Sequence, residues 1–327
     1  MTSQQVIEQM RAKFGEGLQA SEEPVPGTIY LTMDKDLIQP ACRYLQDDLG
    51  GRFLISAGID RRPREGCLSV SHIFSRDKEK QFICLRADVS ENGAEVASIT
   101  PWVAGANWSE RECQDLLGVK AKGHPDPRRL VLSDDWPEGV HPLRKDFPYD
   151  AKPDPVEGAE MKFKEAPEGT STVVVGPFYP VLEEPAQLRL FVDGERVVDC
   201  DYRGFYNHRG IEKLGDSVLT YNQIPFVAER ICGICGFIHS SCYCEAAEQA
   251  AGVEAPRRAK YIRSIILEIE RIHSHLLWLG IAGHILGFDT ILMQAWRIRE
   301  PIMWLCEKIT GNRKTYGMNL VGGVRRD

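Results

Sequence analysis

The sequence has no long uncharged apolar run: its most apolar stretch, Ile265 to Ile285, is interrupted by Glu268, Glu270 and Arg271. No segment therefore offers the ~20 consecutive apolar residues of a membrane-spanning helix. The start, Met1-Thr2-Ser3-Gln4-Gln5, lacks the cationic and apolar regions of an export signal. There is no basic stripe either. Net charge is −7 with the lysines and arginines dispersed, which argues against tracking along a phosphate backbone, so nucleic acid is not an expected partner. The ten cysteines lack the spacing of a disulfide framework and fit a reducing cytoplasm. Cys42, Cys67, Cys84 and Cys113 read as buried thiols. No second Cys-x-x-Cys and no His-x-x-x-His pair occurs, so a closed zinc site lacks ligands, and no four-cysteine motif provides for a resident iron–sulfur cluster.

What is present suits packed cores. A length of 327 residues with 43% hydrophobic content suggests about two domains. Residues 1–150 read as α+β: helical spacing at Val6 to Phe14 and Lys35 to Leu49, then strand-like stretches at Arg52 to Ile59, Cys67 to Ser75 and Gln81 to Val89. Their short connections favour antiparallel neighbours. A helix follows, with Ser109 as expected N-cap, Glu112 completing a capping box, and Gly118 ending it. The prolines of Gly123-His124-Pro125-Asp126-Pro127-Arg128-Arg129 and His141-Pro142-Leu143-Arg144-Lys145-Asp146-Phe147-Pro148 enforce an extended path carrying charged groups. His124 and His141 have no acidic or thiol partner at ligand spacing and read as hydrogen-bonded turn residues.

Residues 151–170, rich in Pro, Gly and charge, read as a linker. The second domain, 171–327, opens with a small sheet at Ser171 to Val175, Leu188 to Val192 and Val197 to Cys200, the last two joined by an Asp193-Gly194 turn. It continues as a helix bundle. Apolar residues recur at three- and four-residue intervals from Ile262 to Leu279, with Arg258, Lys260, Arg263, Glu268 and Arg271 off the stripe and His273 on it as a satisfied core histidine. Ile291 to Thr310 resumes the pattern, and Pro301 either kinks that helix or starts another.

Chemistry concentrates in Glu229-Arg230-Ile231-Cys232-Gly233-Ile234-Cys235-Gly236-Phe237-Ile238-His239. Taken alone, a Cys-x-x-Cys pair is half of a zinc site, a redox motif or part of a soft-metal site. Redox motifs follow a strand, and Ser217 to Ala228 contains none, which favours metal. Cys242 and Cys244, two residues apart, fall on different helix faces and read as packing thiols.

Arg230-x-Cys232-Gly233-x-Cys235-x-x-x-His239 resembles the N-terminal metal-binding motif of nickel-iron hydrogenase large subunits, and its flanks resemble the complex-I-related group that includes the formate hydrogenlyase and energy-converting hydrogenases. The proline-rich motifs, with most of residues 30–150, resemble the 30-kilodalton subunit of respiratory complex I, which implies a docking and assembly domain. Tyr206-Asn207-His208-Arg209-Gly210-Ile211-Glu212-Lys213 resembles a segment that the complex I 49-kilodalton subunit shares with these hydrogenases.

The resemblance implies a catalytic subunit with a nickel-iron centre, Cys232 as a terminal nickel ligand, Cys235 as a bridging thiolate, Arg230 as a cation beside the anionic centre and Glu184 as a proton relay. It implies as partners an iron–sulfur small subunit, membrane-embedded complex-I-like subunits and maturation proteins, at the inner face of the cytoplasmic membrane. The family's C-terminal motif, which supplies two further cysteines, is not found before Asp327, so the chain is expected to be a fragment, inactive alone. Two alternatives stand beside this reading. One is a complex-I-like quinone-reducing subunit, against which Cys232, Cys235 and Tyr179 (where those relatives carry a histidine) argue; the other is a non-catalytic assembly protein.

Overall fold

The computed structural model describes residues 1–178 and 184–326. The chain divides into two compact units, Met1–Arg209 and Gly210–Asp327.

In the first unit, α1 (Ser3–Phe14) leads into β1 (Leu18–Val25), β2 (Thr28–Met33), α2 (Ile38–Asp47), β3 (Arg52–Asp60), the single turn α3 (Arg62–Glu65), β4 (Leu68–Arg76) and β5 (Gln81–Val89). The five strands form one sheet in the order β1-β2-β5-β4-β3. The expected antiparallel pairs β3/β4 and β4/β5 are present, but β2 runs parallel to β5. Val6 and Met10 of α1, Ile38, Ala41, Cys42 and Leu45 of α2, and Ile29, Leu31, Ile83 and Leu85 of the sheet are buried in one core. Cys84 and Cys113 are buried as expected, whereas Cys67 is half-buried.

The strand β6 (Glu95–Ala97) pairs with β7 (Lys120–Lys122) across α4 (Asn107–Leu117). Ser109 does not cap α4, which starts two residues earlier; its buried hydroxyl instead donates to the Ala106 carbonyl and accepts the Ser56 amide. Gly118 ends the helix in the left-handed conformation, as expected. The proline-rich stretch is moored to α4. Asp115 accepts the amides of Leu130 and Val131, both at 2.8 Å, and Arg111 reaches the carbonyls of Arg128 and Arg129. His124 and His141 are hydrogen-bonded turn residues, His124 accepting the Asp126 amide and His141 facing the Asp115 carbonyl.

A second sheet, β8 (Ser171–Val175), β9 (Gln187–Asp193) and β10 (Arg196–Arg203), is antiparallel, with the β9/β10 turn at Asp193-Gly194. The sequence reading groups this sheet with the second domain; the structure packs it into the first unit. Arg128 binds Asp201 of β10 through two 2.9 Å bonds, Arg203 of β10 donates to the Arg129 carbonyl, and Tyr202 stacks on Trp108 of α4. Residues 151–170 have no helix or strand and run along this unit, held by the Val156 and Lys164 amides on Asp135 and Asp201.

The second unit holds the short helices α5 (Ile211–Gly215) and α6 (Ile224–Ala228), then α7 (Gly236–Ala251), α8 (Arg257–Ile285), α9 (Asp289–Thr310) and a small hairpin, β11 (Asn319–Leu320) with β12 (Gly323–Val324). Pro301 lies inside α9 and starts no new helix. The stripe of α8 is only partly buried: Ile266 and Ile269 are covered, while Ile265, Ile272 and Leu279 are exposed. Arg263 proves to be buried, paired with Glu248 of α7. No helix among the described residues is long and apolar enough to cross a membrane. The overall class is the α+β arrangement expected.

Candidate metal centre

The two motif cysteines lie on a loop between two helix ends. Pro225 in the first turn of α6 preorganises that helix, which ends at Glu229. Arg230 and Ile231 close a tight turn onto the carbonyls of Val227 and Ala228, and α7 starts at Gly236 with Cys235 as its N-cap. Cys232 and Cys235 are both free thiols and half-buried. The Cys232 sulfur accepts the amides of Ile234 and Cys235 at 3.4 and 3.5 Å, whereas Cys235 faces the His239 ring nitrogen Nε2 at 3.7 Å. Burial, with Cys232 alongside, holds the Cys235 thiol well above its ordinary range.

A strap that follows α9 closes over this loop. Tyr316 donates its hydroxyl to the Cys232 carbonyl at 3.1 Å, and its ring lies 4.5 Å under the Arg230 guanidinium. The Gly317 amide donates to both oxygens of Glu229, which is fully buried and also accepts from Ser240. Burial raises the Glu229 carboxyl, against the lowering effect of these donors. Arg230 bonds the Phe226 carbonyl at 2.8 Å and Glu229 at 3.1 Å, which fixes a half-exposed cation beside the loop. Asn319 completes the strap by donating to Ser240 and Ser241 of α7.

Gly236 has a steric reason to be glycine. A Cβ there sits 2.4 Å from the Tyr316 ring and 2.5 Å from the Glu229 carbonyl oxygen, while one on Gly233 meets open space. Glu270 of α8 supports the loop from beneath, accepting the amides of Phe237 and Ile238 and the Thr315 hydroxyl.

The structure thus brings together three of the four expected site residues, Arg230, Cys232 and Cys235. Glu184 belongs to the first unit, exposed in a bend ahead of β9, and Tyr179 lies outside the described residues. Sequence reasoning assigned no role to Glu229, Glu270, Thr315, Tyr316 or Gly317. The available signal was acidic Glu270 on the same helical face as Ile266, Ile269 and His273. His273 is fully buried with Nδ1 3.3 Å from Arg299, but its Nε2 has no partner among the described residues, so it is not the satisfied histidine expected. Cys244 is buried and Cys242 exposed, on different faces of α7, so only Cys244 packs.

Two family models match the chain: "Respiratory-chain NADH dehydrogenase, 30 Kd subunit" over residues 31–153 and "Nickel-dependent hydrogenase" over 209–283. Hydrogenase-4 component G of Escherichia coli (strain K12) is 43% identical over 98% of this chain and 59% of its own length. Formate hydrogenlyase subunit 5 of the same organism is 44% identical over 95% of this chain and 57% of its own length.

The chain belongs to the complex-I-related membrane-bound hydrogenase large-subunit family. Within that family it spans 59% and 57% of the lengths of the two relatives just described. Similarity to complex I fusion proteins is lower: the C/D-type NADH-quinone oxidoreductase polypeptide of Sulfurihydrogenibium sp. (strain YO3AOP1) is 32% identical over 92% of this chain and 58% of its own length.

The nickel-dependent hydrogenase family implies a nickel-iron group, and the donor chemistry of the loop fits it. Two thiols three residues apart, half-buried and unbridged, are soft donors for low-charge, redox-active metals. They are a pair: among the described residues, no group of three or more His, Cys, Asp or Glu side chains converges as a metal site.

Proposed function

We propose that this chain forms the N-terminal part of the catalytic large subunit of a nickel-iron hydrogenase within a membrane-associated complex, interconverting hydrogen with protons and electrons. The observation that carries the reading is the braced loop: Cys232 and Cys235 between two helix ends, held by Tyr316, Glu229 and Glu270. Cys232 and Cys235 are the ligands this part of the chain contributes. Bound there, the nickel-iron group supplies the two-electron interconversion of hydrogen and protons.

The protein's own residues hold and tune that group. The amides on Cys232 withdraw electron density from its sulfur, whereas the Cys235 sulfur faces His239; the two thiols would hold the group as unequal soft donors. Arg230, oriented by Glu229 and the Tyr316 ring, places positive charge beside an anionic centre. Glu184, exposed and adjacent to Pro185, serves as a carboxylate through which protons reach solvent. Electrons pass to an iron–sulfur cluster in a small subunit, residues 1–150 serve docking to membrane-embedded subunits, and maturation proteins load the metal. The complex sits on the inner face of the cytoplasmic membrane.

The test uses the complete large subunit in its complex. Cys232→Ser and Cys235→Ser each abolish bound nickel and hydrogen–deuterium exchange activity while the complex still assembles. Full nickel occupancy in both variants refutes the ligand assignment.

A further inference from the structure

The residue at a helix N-cap ordinarily uses its side chain to accept the amide of the second or third helical residue. Cys235 holds that position for α7, and its sulfur makes no such bond. The two amides in question, those of Phe237 and Ile238, donate instead to the two oxygens of Glu270 at 2.8 and 3.1 Å. Glu270 comes from the middle of α8, is 4% exposed, and is held from its other side by the Thr315 hydroxyl at 2.8 Å. A carboxylate outcompetes a sulfur for these donors, because hydrogen bonds to a charged acceptor are about twice as strong and negative charge is favoured at a helix N-terminus. Cys232 is in a different state, its sulfur accepting two amides of its own loop.

We propose that Glu270 is a positioning residue for the cysteine pair: by occupying the amides of Phe237 and Ile238 it keeps the Cys235 sulfur out of the helix cap and on the side of the loop where it faces Cys232 and His239, available to a metal. The inference rests on the reading of Cys232 and Cys235 as ligands. Without Glu270 those amides lose their carboxylate acceptors, and Cys235, as the N-cap residue, is the side chain whose position lets it turn toward them. Thr315 belongs to the same device, since its hydroxyl fixes the carboxylate that does the capping.

The experiment compares Glu270→Ala, Glu270→Gln and Cys235→Ser in the complete large subunit within its complex. Three quantities are read: nickel retained against a competing chelator, the sulfur-to-nickel charge-transfer absorption, and amide exchange along α7. Glu270→Ala weakens nickel retention by about 10- to 100-fold, the range for residues that orient metal ligands. It also shifts the charge-transfer band while amides beyond the first turn of α7 stay protected. Glu270→Gln falls between, because an NH2 donor replaces one of the two oxygens that accept the Phe237 and Ile238 amides. Wild-type retention and an unshifted band in both Glu270 variants, with nickel lost in Cys235→Ser, overturn the positioning role alone. Nickel loss that appears only together with loss of protection along all of α7 overturns it too. Full nickel in Cys235→Ser overturns the ligand reading instead.

Discussion

Replacing Arg263 by methionine tests how the second unit is held together. The Arg263 side chain is 4% exposed; it meets Glu248 of α7 through bonds of 3.0 and 2.6 Å and the carbonyls of Leu320 and Gly323 through bonds of 2.9 Å each. One guanidinium therefore joins α8, α7 and the β11/β12 hairpin. Methionine fills similar space but leaves Glu248, itself 6% exposed, with the Gly322 amide as its remaining bond among the described residues. Breaking a buried pair in this way costs about 3–5 kcal/mol. That corresponds to amide exchange in α8 faster by on the order of 10² to 10⁴-fold, readable by mass spectrometry of peptides from residues 257–285. Arg263 holds the Glu248 carboxyl below its ordinary value of 4.5. Its contribution is complete above that value and is lost as pH falls through the depressed one, so wild type and variant converge in acid. The double variant Arg263→Met, Glu248→Leu recovers most of the loss, because no buried charge remains. Wild-type exchange in the single variant at pH 7 refutes the argument.

Four further outcomes are expected. Gly236→Ala pushes a methyl into the Tyr316 ring and the Glu229 carbonyl, costing about 1–3 kcal/mol by overpacking and reducing nickel in the complete subunit; unchanged thermal stability counts against it. For Asp60, burial alone would raise the carboxyl, but Arg62 and the Lys145 and Arg62 amides hold it at about 2. Asp60→Asn therefore loses about 2 kcal/mol at neutral pH, and the wild-type advantage disappears as pH falls from about 4 to 2, measured by urea midpoints across that range. Glu184→Gln in the complete subunit lowers hydrogen–deuterium exchange by about 10² to 10⁴-fold with nickel content unchanged, since an amide cannot carry the proton; wild-type rates remove Glu184 from the relay. A polypeptide of residues 1–209 folds with one cooperative transition, and 1–155 is folded but less stable, lacking the Arg128–Asp201 and Trp108–Tyr202 contacts; circular dichroism of 1–155 showing an unfolded chain contradicts an independent docking domain.

Local pattern carried the regular elements because it is written in neighbouring residues. Alternation over Arg52–Asp60, Leu68–Arg76 and Gln81–Val89 marked β3, β4 and β5, Asp193-Gly194 marked a hairpin, and three- and four-residue spacing marked α8 and α9. The cysteine pair at the start of α7, and the family, were equally legible, since the motif and its flanks are contiguous. β1 and β2 were missed: Leu18–Val25 is a polar edge strand containing Pro24, tolerated because an edge leaves one side unpaired, and pairing of β2 parallel to β5 joins residues about 54 positions apart. Only the tertiary structure decided that Arg263 is buried, because helical phase states which residues share a face but not what faces them. It likewise showed β8–β10 packed with the first unit, through Arg128–Asp201 and Trp108–Tyr202. Above all, it chose the supports of the cysteine loop. Glu270, Tyr316 and Gly317 come from 32 to 88 residues away in sequence, and their bonds to the loop exist only because α8 and the segment after α9 pack beside it. A hydrogen bond between distant residues leaves no periodic trace in a sequence; it is a property of the packed chain.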